Sequence, residues 1–232
     1  MVVWLLDSRL PDPELEADAD GLVALGGSLE PEFLLAAYRA GIFPWSSEPV
    51  LNWWSPDPRA VFDLAPRPAA RSVRQSARRG RWTFTIDRAF EDVIAGCRAP
   101  APGREETWIS DDFVAAYRAL FARGAAHSVE VWEAGELVGG LYGVAQGGFF
   151  GGESMFRLRT DASKAALAYL LDRLRVGGFA LCDAQSPTEH LTSLGVQCLQ
   201  RRAYLDALAT ALARTEAKLV EGPAPSLGWT PA

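Results

Sequence analysis

The chain has 232 residues, 49% of them apolar and 22% charged, with a formal net charge of −6. That length suits one large domain or two unequal ones, no apolar run reaches the roughly 18 residues of a membrane span, and the acidic balance argues against a general nucleic-acid coat while leaving room for a local basic patch. Cys97, Cys182 and Cys198 contain no CxxC pair and suggest neither a disulfide framework nor a zinc site; the N-terminus carries early acids and no basic cluster, unlike a secretory signal, so a cytoplasmic protein is expected.

Residues 1–62 read as a small aromatic-rich N-terminal domain and residues 63–232 as a larger one. Pro31 to Ala40 is a predicted helix, opened by Pro31 and stopped by Gly41. Phe43, Trp45, Trp53 and Trp54 then crowd into a proline-rich stretch. Such aromatics either form a satellite core or offer a platform for a base or sugar, where stacking contributes about 1–3 kcal/mol per base. From Leu64 to Ile86 there are six arginines and no acid. The spacing predicts a helix over Pro68–Arg79 with Arg71, Arg74 and Arg78 on one face. A solvated face and a phosphate-binding face both fit.

Trp82–Ile86 alternates as a half-buried strand. Asp87 is placed to cap the next helix, whose inner face is Phe90, Val93, Ile94 and Cys97. Ser110, followed by Asp111 and Asp112, caps a helix that buries Phe113, Tyr117, Leu120 and Phe121. His127–Trp132 and the residues from Glu136 onward form a hairpin around Ala134-Gly135. Leu137–Val144 and Gly147–Gly152 are strand-like, yet seven glycines lie between Gly139 and Gly152. Glycine in strands marks close approach of a ligand or of another backbone. Glu153–Phe156 reads as a loop. Asp161–Arg175 reads as a helix with Leu167, Leu170, Leu171 and Leu174 on one face, stopped by Gly177-Gly178. Phe179–Cys182 is a short strand with Asp183 and Gln185 at its end, so a βαβ unit places both where ligands bind in such sheets. A short helix over Pro187–Leu194, a strand over Val196–Leu199 and a helix over Ala203–Ala217 follow. The fold class is α/β (α+β), a mixed sheet with helices on both sides in an acetyltransferase-like (GNAT-like) order behind a small N-terminal unit.

The chemistry narrows by residue type. No phosphate loop and no GxGxxG are present. His127 starts a strand, where a structural histidine is expected; His190 is nearer the βαβ site but far from His127, and Ser–His–Asp catalysis lacks a base. Cys182 reads as pocket wall. What remains is Glu153, Asp183 and Gln185 beside Phe150, Met155, Leu167, Leu170 and Leu174. This set suits acyl transfer from an activated ester to an amine: an apolar slot, donors for an oxyanion, and a carboxylate to orient the amine and draw off its proton. A plain core for the leucines, and a helix cap for Asp183, fit the same residues. Acetyl-CoA is disfavoured as donor, because FRLRTDASK before the crossover helix lacks the glycines that hold its pyrophosphate.

LLAAYRAGIFPW, NWWSPDPRAV, ETWI, AHSVEVWEAGELVGGLYGVAQG, GESMF, DASK and RRAYL together resemble the leucyl/phenylalanyl-tRNA–protein transferase family over nearly the whole chain. The resemblance implies an enzyme that moves Leu or Phe from aminoacyl-tRNA to the N-terminal Arg or Lys of a protein, making that N-terminus a degradation signal, with no cofactor or metal and as a monomer. It implies Asp183 and Gln185 as the central pair, a hydrogen-bonded relay at the acceptor amine. Leu141, Phe150, Met155, Leu167, Leu170, Leu174 and Cys182 would line the side-chain slot. Tyr38, Trp45 and Trp108 would hold the terminal adenosine, and Arg71, Arg74, Arg78 and Arg79 would meet acceptor-stem phosphates without reading sequence. Glu153 with Asp183 would favour a cationic N-terminal residue. The chain departs from the family pattern at Ala184, where a cysteine is usual and the side chain is expected to point away from Asp183 and Gln185; at Glu30, in place of a serine-like cap; and at Leu170 and Leu174, where aromatics are common. An acyl-CoA-dependent or peptidoglycan-type acyltransferase of the same fold, and a non-catalytic protein binding tRNA 3′ ends, are the competing readings.

Overall fold

The computed structural model describes residues 3–5, 9–46, 49–65, 82–101 and 106–223. Two sheets organise them. The smaller runs β1–β2–β4–β3, with β1 Val3–Leu5, β2 Leu22–Gly26, β3 Phe43–Ser46 and β4 Asn52–Trp54. The larger runs β11–β5–β10–β9–β8–β7–β6, with β5 Arg59–Phe62, β6 Thr83–Ile86, β7 Ala126–Glu133, β8 Glu136–Gln146, β9 Phe149–Arg157, β10 Leu181–Gln185 and β11 Gln197–Leu199. β9 and β10 pair in parallel and the other neighbours of the larger sheet are antiparallel, which makes it the expected mixed sheet. The chain crosses from one sheet to the other at Ser55–Pro58, so β5 already belongs to the larger sheet.

The helices are α1 Pro13–Glu16, α2 Pro31–Arg39, α3 Phe90–Arg98, α4 Asp111–Ala122, α5 Ala162–Val176, α6 Glu189–Ser193 and α7 Arg201–Leu212. α3, α4 and α7 cover one face of the larger sheet and share a continuous core with α2 and the smaller sheet. α5 covers the opposite face with Ala165, Ala166, Leu167, Leu170 and Leu174. The glycines of β8 permit this closeness. A Cβ at Gly139 would stand 2.7 Å from the Ala162 Cβ, and one at Gly140 2.7 Å from the Val129 carbonyl oxygen. The close approach that the glycine run signals is therefore made here by the chain's own elements. No helix among the described residues is long and apolar enough to cross a membrane.

Several local expectations are corrected. Glu153–Phe156 is strand, not loop: β9 continues to Arg157, pairing Ser154 with Tyr142, Met155 with Leu141 and Phe156 with Gly140. Gly152 pairs with Gly143, so Glu153 is an extra residue, a β-bulge that shifts the period-two pattern and hides the strand. Asp87 does not cap α3, whose N-cap is Ala89 without a side-chain bond. Asp87 has φ 60° and accepts from the Ser128 N–H at 2.8 Å while contacting His127 Nδ1 at 2.7 Å, which gives His127 a structural partner. The last helix occupies Arg201–Leu212, not Ala203–Ala217. The expected arginine helix, with Arg71, Arg74, Arg78 and Arg79, lies outside the described residues.

Candidate active site

β9 and β10 stay paired for three residues, Phe149–Gly151 against Leu181–Asp183. Past that point each strand carries a bulge. On β9 the extra residue is Glu153; on β10 it is Ala184, since Asp183 pairs with Val61 and Gln185 with Ala60. Two bulges side by side re-aim their side chains, and a cavity of about 290 Å³ lies where they do so.

One part of the wall is apolar: Leu141, Met155, Leu167, Leu170 and Cys182, joined by Phe62 and Leu191. Cys182 is buried, and burial pushes its thiol well above the usual range, as suits a wall and not a nucleophile. Two expected slot residues are not on this wall. Phe150 and Leu174 are fully buried behind it in the core shared with α5. Ala184 also lines the cavity, at the bulge that breaks the strand alternation.

Phe43, Pro44, Trp45 and Trp108 form another part of the wall. Trp45 is 44% exposed and meets Trp54 edge-on at 5.7 Å; Trp108 meets Phe113 edge-on at 5.1 Å. Trp53, by contrast, is fully buried, with its indole N–H donating to the Gly26 carbonyl at 2.7 Å. Of the aromatic stretch, Trp53 belongs to the continuous core and not to a separate satellite one, while Trp45 keeps an exposed face. Tyr38 is not part of that face. It is 1% exposed, and its hydroxyl lies 2.8 Å from Glu153 Oε1 and 2.9 Å from the Tyr117 hydroxyl.

Polar groups stand between these walls. Glu153 is 9% exposed, with Tyr38 and Tyr117 on its two oxygens at 2.8 and 2.7 Å, and the Gln185 side-chain amide donating to Oε1 at 3.2 Å. Burial pushes its carboxyl up to about 7; the bonds from Tyr117, Tyr38 and Gln185 pull it down, and the nearby Asp183 charge adds to the rise. Gln185 adopts φ 66°, a left-handed conformation that costs a non-glycine residue about 1–3 kcal/mol. Its backbone N–H donates to Asp183 Oδ1 at 2.8 Å, which holds it there. The expected Asp183–Gln185 bond therefore exists through the backbone, while the Gln185 amide side chain serves Glu153.

Asp183 is differently placed from Glu153. Arg59 donates to it twice, Nε to Oδ1 at 2.9 Å and Nη2 to Oδ2 at 2.7 Å, and the Tyr204 hydroxyl donates to Oδ2 at 2.9 Å. With Gln185 N–H, four donors occupy the roughly four acceptor positions of a carboxylate. Arg59 is sandwiched between the rings of Phe43 at 4.7 Å and Tyr204 at 4.4 Å. Burial works against its charge, and Asp183, Tyr204 and Glu153 together more than offset that, so the guanidinium is held above its usual range. Asp183 is thus paired with a buried cation, whereas Glu153 at the same cavity has no cation hydrogen-bonded to it among the described residues. His190 also lines the cavity; burial, then Arg157 and Lys164, lower its affinity for a proton. The Asp183 side chain does not cap α6, whose cap is the Thr188 hydroxyl on the Leu191 N–H.

Arg59, Tyr204 and the roles of Tyr38 and Tyr117 escape a sequence reading. A faint signal for Arg59 is its place as one charge opening the buried run Arg59–Phe62.

A family profile described as leucyl/phenylalanyl-tRNA protein transferase matches residues 61–209, and one described as the N-terminal domain of that transferase matches residues 27–57. The leucyl/phenylalanyl-tRNA–protein transferase of Stutzerimonas stutzeri is 49% identical over 222 residues, covering 94% of this chain and 98% of its own. That of Shewanella sediminis is 50% identical over 203 residues, 86% of each chain. Among solved structures, L-PGS from Bacillus licheniformis aligns with a TM-score of 0.42 and 14% identity over 78% of this chain and 62% of its own.

Proposed function

Because the chain belongs to the leucyl/phenylalanyl-tRNA–protein transferase family, an aminoacyltransferase family, we propose that it moves Leu or Phe from aminoacyl-tRNA to the N-terminal Arg or Lys of acceptor proteins in the cytoplasm, marking them for degradation by their new N-terminus. The observation that carries this reading is an apolar pocket ending at a carboxyl–amide pair, Glu153 and Gln185, with an aromatic wall beside it.

The residues divide the work as follows. Leu141, Met155, Leu167, Leu170 and Cys182 receive the side chain of the donor amino acid, with Phe150 and Leu174 backing the wall. A side chain unbranched at Cβ enters a narrow neck more easily than Ile or Val. Trp45 and Trp108 stack the terminal adenosine. Arg71, Arg74, Arg78 and Arg79 meet acceptor-stem phosphates, which position without reading sequence. Gln185 and Glu153 face the acceptor amine, holding it against the ester carbon; positioning of this kind supplies much of an acyl transfer's barrier reduction. Asp183 acts through Gln185, whose strained backbone it secures. In its ionised form, before it takes up a proton, Glu153 gives the pocket the negative charge that selects a cationic N-terminal residue over a neutral one.

The test is a transfer assay with the purified chain, separately charged Leu-, Phe- and Ile-tRNA, and reporters beginning with Arg, Lys or Ala. Leu and Phe passing to Arg and Lys alone are expected. Labelling of the same amines by acetyl-CoA instead, with no transfer from tRNA, would overturn it.

A further inference from the structure

Glu153 Oε1 to the Tyr38 oxygen, Glu153 Oε2 to the Tyr117 oxygen, and the Tyr38 oxygen to the Tyr117 oxygen measure 2.8, 2.7 and 2.9 Å, a closed triangle of hydrogen-bond contacts. Three contacts need three protons. Each tyrosine hydroxyl carries one, and an ionised carboxylate carries none. With Glu153 ionised, both hydroxyls donate to it and the tyrosine oxygens face each other at 2.9 Å with no proton between them. The third proton can come only from Glu153 itself. The ring's direction follows as well. Oε1 already accepts from the Gln185 amide, so in the protonated form the proton would sit on Oε2 and reverse the bond that Tyr117 donates to the ionised carboxylate, with Tyr117 donating to Tyr38 and Tyr38 to Oε1.

We infer that, when Glu153 is protonated, Glu153, Tyr38 and Tyr117 share three protons in a closed ring, and that Glu153 is the group that takes the proton of the attacking amine and hands it to the ester oxygen. The catalytic half rests on the transfer reaction proposed above. As the acceptor nitrogen bonds to the acyl carbon it gives up one proton, which Glu153 Oε2 receives and the ring closes around. As the bond from that carbon to the ribose oxygen breaks, the same proton passes to that oxygen and Glu153 returns to its ionised form. Glu153 is the catalytic residue; Tyr38 and Tyr117 are positioning residues that hold its two oxygens, while burial is what favours its loaded state. Asp183 is unsuited to the step, because all its acceptor positions are taken.

Burial first, and then the Asp183 charge, favour a neutral Glu153, against the hydrogen bonds from Tyr117, Tyr38 and Gln185. Tyr38 comes from α2, Tyr117 from α4, Tyr142 from β8, and Asp183 and Gln185 from β10. Burial raises all three phenols well above the usual tyrosine range, so none offsets the Glu153 proton by ionising. Arg59 from β5, a cation that feels Glu153, is already paired with Asp183.

Two measurements read the proton and not the turnover. Neutron diffraction from deuterium-exchanged crystals of the full chain at about pH 6, a unit below the Glu153 value, should find three deuterons on the triangle, one of them on Glu153. Two deuterons, both on tyrosine oxygens, would overturn the ring. In solution, the infrared difference between the wild type and Glu153→Gln should contain the carbonyl band of a protonated carboxyl at that pH, fading with a midpoint of about 7. No such band would overturn it too. The role of the tyrosines is read from Tyr117→Phe, which should alter that midpoint while Tyr204→Phe leaves it in place; an unmoved midpoint in Tyr117→Phe would contradict a shared ring. A loaded ring in a chain that transfers nothing would refute the proposed function and leave the ring standing, so the two ideas fail separately.

Discussion

Arg59 and Asp183 form a fully buried bidentate pair, each side chain 1% exposed, that joins β5 to β10 directly behind Gln185. Removing one partner leaves the other charge buried without its counter-ion, a loss of about 3–5 kcal/mol. Asp183→Ala and Arg59→Ala should each lower stability to urea by that amount. The double variant Arg59→Met/Asp183→Leu strands no charge and should recover most of it. All three should transfer poorly, because Gln185 loses the acceptor that holds its backbone. A double variant as unstable as either single one would contradict a mainly electrostatic role for the pair.

Glu153 makes stability depend on pH in a defined direction. Its proton affinity rises from 4.5 in the unfolded chain to about 7 in the folded one. Between those values the folded state binds more protons than the unfolded state, so stability falls as pH rises through that window and levels off above it. Thermal unfolding of the wild type should show this decline over about pH 5–7, and Glu153→Gln should flatten it. Parallel profiles for the two proteins would place the carboxyl in its ionised form throughout.

Leu170 lines the cavity, whereas Leu174, one turn further along α5, lies behind the wall. Leu170→Phe should narrow the slot and lower kcat/KM for Phe-tRNA relative to Leu-tRNA by about tenfold, the lower end of what one or two buried carbons discriminate. Leu174→Met should leave that ratio unchanged while altering stability modestly. Competition between the two donors measures both ratios.

Trp45 is the exposed member of the aromatic wall. If it stacks the terminal adenosine, Trp45→Ala should weaken donor binding by about 1–3 kcal/mol with little effect on the single-turnover rate at saturating donor. Trp53→Ala should act instead on stability, because Trp53 is core. A Trp45→Ala variant with unchanged donor affinity would assign the exposed ring to something other than the nucleotide.

Much of the scaffold was legible in the chain. The alternation of Thr83–Ile86, the hairpin turning at Ala134-Gly135, the Ser110 cap and the leucine face of α5 each rest on local periodicity or local chemistry, and each appears where expected. The site was legible in part. Leu141, Met155, Leu167, Leu170, Cys182, Trp45, Trp108, Glu153, Asp183 and Gln185 come together at one cavity. The geometry that assembles them was not legible, because bulges at Glu153 and Ala184 leave no pattern of their own and shift the one around them. Nor were the partners of the carboxylates. Arg59 is 124 residues from Asp183, and Tyr38 is 115 from Glu153, separations at which residue spacing carries no information about contact. Phe150, Leu174 and Tyr38 belong to the same neighbourhood but sit one layer back, a distinction that only packing decides.

The most direct measurement is the single-turnover rate of Phe transfer to an Arg-initiated peptide, compared between the wild type and Glu153→Gln at saturating enzyme, with donor affinity measured separately. Glu153→Gln keeps the shape of the side chain and removes only its ability to carry the proton. The rate should fall by about 100-fold or more, the usual contribution of a positioned proton-transfer group, and lose its dependence on pH near 7, while donor affinity stays within about twofold. An unchanged rate, or a loss lying wholly in donor affinity, would contradict the assignment of this cavity as the place where the peptide bond is made.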